Sequence, residues 1–240
     1  MSANLLLLSS SRYENGGYLE HAMVHIKEFL GPQENTLLFI PFAGVSVGYD
    51  DYEALVKKPF VDAGYNIQSI HTVDNPEQAI KDSAGIVVGG GNTFHLLHQL
   101  YQFDLLGLIR EQVLKGKPYI GWSAGSNIAA PTIMTTNDMP IIQPPSFHAL
   151  HLVPCQINPH YLDKHPPGFN GETRAQRLEE FLTVNPDARV IGLREGTGLK
   201  LNDDKVSLVG DHPAVIFEKD KQYELDATQD LQFLIAEDLL

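Results

Sequence analysis

Six short segments of the chain are rich in apolar residues, and the stretches between most of them are long enough for at least one helix. They are NLLLLS (4–9), TLLFIPFA (36–43), YNIQSIHTV (65–73), AGIVVGGG (84–91), PYIGWS (118–123) and VIGL (190–193). An apolar run with little polar alternation belongs to a strand covered on both faces. Segments 18–30, 52–64 and 105–116 instead repeat their apolar residues every three or four positions, the spacing of an amphipathic helix. This rhythm predicts an α/β fold: a doubly wound, mainly parallel sheet with helices on both faces. Right-handed crossovers then gather the functional loops at the carboxyl ends of the strands. Beyond residue 193 the pattern changes, and 198–210 and 213–225 read as antiparallel hairpins near the C-terminus. The long irregular stretch 131–150 is expected to form part of a site. No boundary is evident, so residues 1–240 are read as a single domain.

With 240 residues, 43% of them hydrophobic, the chain can bury a large core. Its 30 acidic against 17 basic residues give a formal charge of -13, which argues against nucleic acid as a partner. An anionic small substrate would need a cation of its own. No run approaches the roughly 20 apolar residues of a membrane helix, and the N-terminal stretch lacks the basic residues of a signal peptide. The single cysteine, Cys155, excludes an internal disulfide and reads as a small packed residue. The expectation is a cytoplasmic monomer or homodimer without membrane contact.

Within PYIGWSAGSNIAA, Gly121-Trp122-Ser123-Ala124-Gly125 has the pattern G-x-S-x-G between a predicted strand and a predicted helix. Small flanking residues allow so sharp a turn, which presents the hydroxyl in a strained, exposed position. The helix start leaves free backbone N–H groups, and that of Ala124 is suited to a developing oxyanion. A serine hydroxyl needs a base and a group to orient that base. Of ten histidines, His21 and His25 stand four apart, but HAMVH lacks the Glu of a zinc-protease motif and reads as an ordinary helix face. His95 and His98 read likewise, and His71, His148, His151, His165 and His212 have no diagnostic surroundings. His160 differs, because it closes VPCQINPH where an apolar stretch ends. For the orienting acid the residues leave two candidates. Glu195 follows the VIGL strand directly, and Asp138 lies in the irregular segment after the elbow.

In IVVGGGNTFHLL, Gly89, Gly90 and Gly91 end a strand, and Asn92 and Thr93 open a helix. No lysine follows at P-loop spacing and no G-x-G-x-x-G is present, so a nucleotide loop is disfavoured. Gly91 can instead supply a second oxyanion donor, with Asn92 capping the helix. In NGETRAQRLEEFL (170–182), Arg174 places a cation in the first turn, against the helix dipole. Its guanidinium suits a substrate carboxylate.

Together, IPFAGV (40–45), VVGGGNTF (87–94), YIGWSAGSN (119–127), TTNDMP (135–140), QINPH (156–160), GETRAQR (171–177) and VIGLREG (190–196) resemble the peptidase E family of serine peptidases, related to cyanophycinase. The resemblance runs from the first strand to about residue 196. It implies a fold like the class I glutamine amidotransferases and hydrolysis of dipeptides with N-terminal aspartate, Asp-X, with no metal or other cofactor. By motif position it implies Ser123 as nucleophile, His160 as base and Glu195 as orienting acid, with Asp138 in a supporting role. It likewise implies Gly91 and Ala124 as the oxyanion pair, and Arg174, with Asn92 and Thr93, at the substrate. Two other readings compete: a non-catalytic sensor or carrier of acidic amino acids, and a serine esterase, which leaves Arg174 unexplained.

Overall fold

A computed structural model describes residues 3–32, 35–164, 168, 170–202 and 205–234. His165 and residues 235–240 of the expected single domain lie outside them. Five strands, β1 (Leu5–Leu8), β2 (Leu37–Ile40), β3 (Ile67–Ser69), β4 (Ile86–Val88) and β5 (Tyr119–Trp122), pair in parallel in the spatial order β3-β2-β4-β5-β1. The helices between them are α1 (Met23–Leu30), α2 (Tyr49–Asp62), α3 (Pro76–Asp82), α4 (Thr93–Gln102) and α5 (Leu106–Leu114). The path dictates where each helix lies. From β1 to β2 to β3 the chain moves one way across the sheet, and right-handed crossovers put α1 and α2 on one face. From β3 to β4 to β5 it moves back, which puts α3, α4 and α5 on the other.

Side chains alternate across a strand, so each short apolar run feeds two cores. Leu6, Leu8, Phe39, Val87 and Trp122 pack with Ile26, Val56 and Phe60 from α1 and α2. Leu5, Leu7, Leu38 and Val88 pack with Ile80, Leu97 and Ile109 from α3, α4 and α5. This is the doubly wound arrangement that the sequence rhythm predicts.

After β5 come the one-turn helix α6 (Ala124–Asn127), β6 (Gln156–Asn158), α7 (Arg174–Val184) and β7 (Val190–Gly192). Four further strands follow: β8 (Gly198–Asn202), β9 (Lys205–Val209), β10 (Ala214–Glu218) and β11 (Lys221–Leu225). Both expected hairpins form, but in different sheets. β8 and β9 extend the large sheet antiparallel beyond β1, whereas β10 and β11 join β7 and β6 in a second sheet of order β11-β10-β7-β6. The segment VIGL therefore belongs to this second sheet rather than to the large one. The reason is edge occupancy: β8 covers the open side of β1, with Leu7 opposite Leu199, and β7 pairs in parallel with β6 instead. One face of the second sheet, through Ile157, Ile191 and Ile216, joins the large core, and α7 covers Val190, Val215 and Phe217 on the other.

Two other elements are shorter than their patterns suggest. In 65–73 the strand stops at Ser69, whose N–H donates to Glu53 and whose hydroxyl pairs with His71, and a 3-10 turn follows. The helix expected over 18–30 starts at Met23, because Leu19 adopts φ 57° and breaks the helical path before it. Among the described residues, no helix is long and apolar enough to cross a membrane.

The sharp turn from β5 into α6 depends on two glycines. A Cβ on Gly121 would stand 2.4 Å from the Gly125 carbonyl oxygen, and one on Gly125 would stand 2.2 Å from that of Val88. Such overpacking costs about 1–3 kcal/mol or more. Gly107 in α5 is exposed and has open space where its Cβ would be. Unfolding free energies from urea titration should therefore fall for Gly121→Ala and Gly125→Ala by about 1–3 kcal/mol or more each, and rise for Gly107→Ala by about 0.5–1 kcal/mol. A Gly107→Ala loss equal to the other two would contradict this packing.

Candidate active site

Ser123 sits between β5 and α6 with φ 53° and ψ -115°. A non-glycine residue held there stores about 1–3 kcal/mol and persists only when its surroundings impose it. A one-turn helix cannot do so unaided. Five hydrogen bonds from four donor groups supply the restraint. The Ser123 N–H donates to the Leu8 carbonyl at 3.1 Å, and the Ser126 hydroxyl is shared between the Leu8 and Gly121 carbonyls at 2.7 and 2.9 Å. The buried Tyr119 hydroxyl donates to the Gly125 carbonyl at 2.6 Å, and Asn127 Nδ2 donates to Ile157 in β6 at 2.7 Å. The turn at Ser123 is thus tied to β1 and to the second sheet.

His160 arrives from the end of β6 and Glu195 from the loop after β7. The imidazole Nε2 stands 3.0 Å from Ser123 Oγ, and Nδ1 stands 2.8 Å from Glu195 Oε1. A carboxylate at Nδ1 favours the tautomer that carries its proton there, leaving Nε2 as an acceptor for the serine hydroxyl. The His160 backbone is also in the left-handed region, at φ 53°. The irregular segment after α6 braces it. Asn158 Nδ2 donates to the Thr135 carbonyl and to Asn137 Oδ1, both at 2.8 Å, and Asn137 Nδ2 donates to the Pro159 carbonyl at 2.7 Å. Ser9, fully buried at the end of β1, accepts the His160 N–H at 2.9 Å and donates to the Leu193 carbonyl at 2.8 Å.

Sequence reasoning missed Ser9, Asn137 and Asn158. The available signal was position: three serines follow the first strand at the sheet edge where the functional loops gather. Asp138, the rival orienting acid, does not touch His160. Its Oδ2 accepts from the Thr93 N–H at 2.7 Å, the Thr93 hydroxyl at 2.6 Å and the Thr136 hydroxyl at 3.1 Å. Thr93 is buried and both of its donors go to Asp138. Asn92 caps α4 through the His95 N–H and donates from Nδ2 to the Met139 carbonyl.

Each glycine of the run answers a different neighbour. A Cβ on Gly89 would meet the Tyr52 hydroxyl at 2.3 Å, and one on Gly90 would meet Ser123 Cβ at 2.9 Å. Gly91 takes φ +135°, and a Cβ there would lie 2.2 Å from the Ala43 carbonyl oxygen. The run therefore passes hard against the serine. Among the described residues, the N–H groups of Gly91 and Ala124 donate to no protein acceptor.

Arg174 opens α7 behind Thr173, which forms a capping box with Gln176. Its Nε is buried and, among the described residues, has no hydrogen-bond partner. Burial, then the charge of Arg177, push the guanidinium below its ordinary pKa, and the charge of Asp138 opposes the shift. Asp138 rests on Thr93, so the charge that opposes the shift comes from beside the glycine turn. A buried donor of this kind is costly unless an anion reaches it. Among the described residues, no group of three or more His, Cys, Asp or Glu could hold a metal ion.

The sequence profile of peptidase family S51 matches residues 5–209. A protein named Peptidase E from Shewanella baltica OS155 is 57% identical over 217 residues, covering 90% of this chain and 91% of the relative. A protein of the same name from Shewanella denitrificans OS217 is 54% identical over 232 residues, covering 96% and 98%. The solved structure of a peptidase from an acI-B1 actinobacterium superposes with a TM-score of 0.70 at 22% identity, over 96% of this chain and 97% of that one, which shows a shared fold. With most of its length inside the family profile and relatives above half identity across nine-tenths of the chain, the protein belongs to peptidase family S51.

Proposed function

We propose that the chain is a serine dipeptidase that hydrolyses Asp-X dipeptides through an aspartyl ester on Ser123. The observation that carries this reading is the His160 ring, 3.0 Å from the Ser123 hydroxyl on one side and 2.8 Å from Glu195 on the other. Ser123 Oγ attacks the peptide carbonyl carbon as its proton passes to His160 Nε2. The Glu195 carboxylate stabilises the imidazolium through the Nδ1–H. Negative charge develops on the carbonyl oxygen, and the free N–H groups of Gly91 and Ala124 are suited to receive it. The tetrahedral species collapses as Nε2 returns the proton to the departing amine, leaving the aspartyl ester. Water, deprotonated by His160, then attacks that ester and releases aspartate.

Arg174 supports the choice of substrate. Its buried, unpartnered Nε lacks a counter-ion among the described residues, and the side-chain carboxylate of an N-terminal aspartate would supply one in bidentate geometry. The relatives named Peptidase E agree with a peptidase of this kind.

Ser123→Ala should lower kcat for an Asp-X dipeptide by about 10⁴-fold or more, while calorimetry still detects dipeptide binding. Undiminished turnover would rule out Ser123 as the nucleophile. Arg174→Ala should cost about 2–5 kcal/mol in kcat/KM for Asp-X and far less for a dipeptide with a neutral N-terminal residue. A panel of both substrate classes decides the matter, and an equal loss for the two would make Arg174 structural.

A further inference from the structure

A file of aromatic side chains connects the residue before the serine to the glycine turn that faces it. The Trp122 indole N–H donates to the Tyr18 hydroxyl at 3.1 Å, the Tyr18 hydroxyl donates to that of Tyr52 at 3.3 Å, and the Tyr52 hydroxyl donates to the Gly90 carbonyl at 2.8 Å. The rings have little freedom. Phe39 stacks on Trp122 with centroids 6.2 Å apart and meets the Tyr52 ring edge-on at 5.1 Å. Tyr52 itself is buried in the core formed by α1, α2 and the sheet.

The Gly90 carbonyl and the Gly91 N–H belong to one peptide group. In a trans peptide the two lie in one plane and point in opposite directions, so fixing the carbonyl fixes where the N–H aims. Glycines on both sides of this bond leave its orientation otherwise weakly determined. Among the described residues, the Gly90 carbonyl accepts from Tyr52 alone. We propose that Tyr52 is a positioning residue of the oxyanion site, its hydroxyl holding the Gly90–Gly91 peptide so that the Gly91 N–H faces the oxygen of the carbonyl whose carbon Ser123 attacks. This inference rests on the oxyanion role proposed above for Gly91.

The hydrogen bond acts in a second way. A donor on an amide oxygen draws electron density from the amide nitrogen and strengthens its N–H as a donor, and the bonds from Trp122 and Tyr18 reinforce that polarisation. Burial holds the Tyr52 phenol well above its ordinary pKa, so it stays protonated and keeps donating throughout the neutral range. Space for the contact is built into the backbone, since a Cβ at Gly89 would collide with the Tyr52 hydroxyl.

The test is Tyr52→Phe, which removes the hydroxyl and keeps the ring. For an Asp-X dipeptide, kcat should fall by about tenfold, less than the 10²–10³-fold typical of losing an oxyanion donor outright, with KM changed by no more than about twofold. A boronic acid that forms a tetrahedral adduct on serine should lose affinity by the same factor as kcat. Dipeptide binding to Ser123→Ala should be unaltered when Tyr52→Phe is added, which a merely structural defect would not spare. Tyr18→Phe keeps the Tyr52–Gly90 bond and removes its reinforcement, so it should lower kcat by two- to threefold at constant KM and provides a second variant should Tyr52→Phe fold poorly. Unchanged kcat in both variants, or equal losses in boronate and dipeptide binding, would overturn the proposal while leaving the dipeptidase reading intact. Retained turnover in Ser123→Ala would overturn both together.

Discussion

Two consecutive residues at the end of β1, Leu8 and Ser9, hold the candidate site in register. The Leu8 carbonyl accepts the backbone N–H of Ser123 and the hydroxyl of Ser126. The Ser9 hydroxyl accepts the His160 N–H and donates to Leu193, two residues before Glu195. Ser123, His160 and Glu195 come from three different strand ends in two different sheets, and each connects to this one point. The side chain is buried, so losing either bond would leave an unsatisfied group at a cost of about 1–3 kcal/mol. Ser123 and His160 both occupy the left-handed region, and this junction is part of what imposes it.

Charge shapes the site in a second way. The chain carries a formal charge of -13, a poor environment for an anionic substrate. Arg174 lies apart from the paired arginines. Arg194 is held by Asp163 and Glu224, and Arg189 by Glu218, whereas the buried Nε of Arg174 has no partner among the described residues. Asp138 is taken up by Thr93 and Thr136 and only tempers the Arg174 charge from a distance. On the proposed reading, that unmet donor is what the aspartyl side chain completes.

Much of the fold was legible because four-residue runs such as Leu5–Leu8 and Tyr119–Trp122 are buried on both faces, so their apolar content alone marks them as interior strands. The division into two sheets was not, because it depends on which strand takes the open edge of β1. That pairing joins residues nearly two hundred positions apart, and β6 is only three residues long. At the site, the strand-turn-helix setting of Ser123 was visible, since glycines at 121 and 125 answer backbone contacts that follow from the turn itself. The residues left Glu195 and Asp138 equal as partners for a histidine; the family resemblance favoured Glu195, and the path of β7 is what brings it to the His160 ring. Thr93 shows the opposite limit: a hydroxyl at a helix start looks available in sequence, yet here it is buried against Asp138. Ser9 and Tyr52 were invisible for the same reason, as a lone serine or tyrosine shows its role only through partners distant in the chain.

On the proposed reading, an imidazole oriented by Glu195 activates the Ser123 hydroxyl. Labelling with a fluorophosphonate, with the adduct mapped by mass spectrometry in the native protein and in His160→Ala, measures that activation. One adduct is expected, on Ser123, forming at least about 10³-fold more slowly without the imidazole. An unlabelled Ser123, or labelling at the native rate in His160→Ala, would contradict that reading.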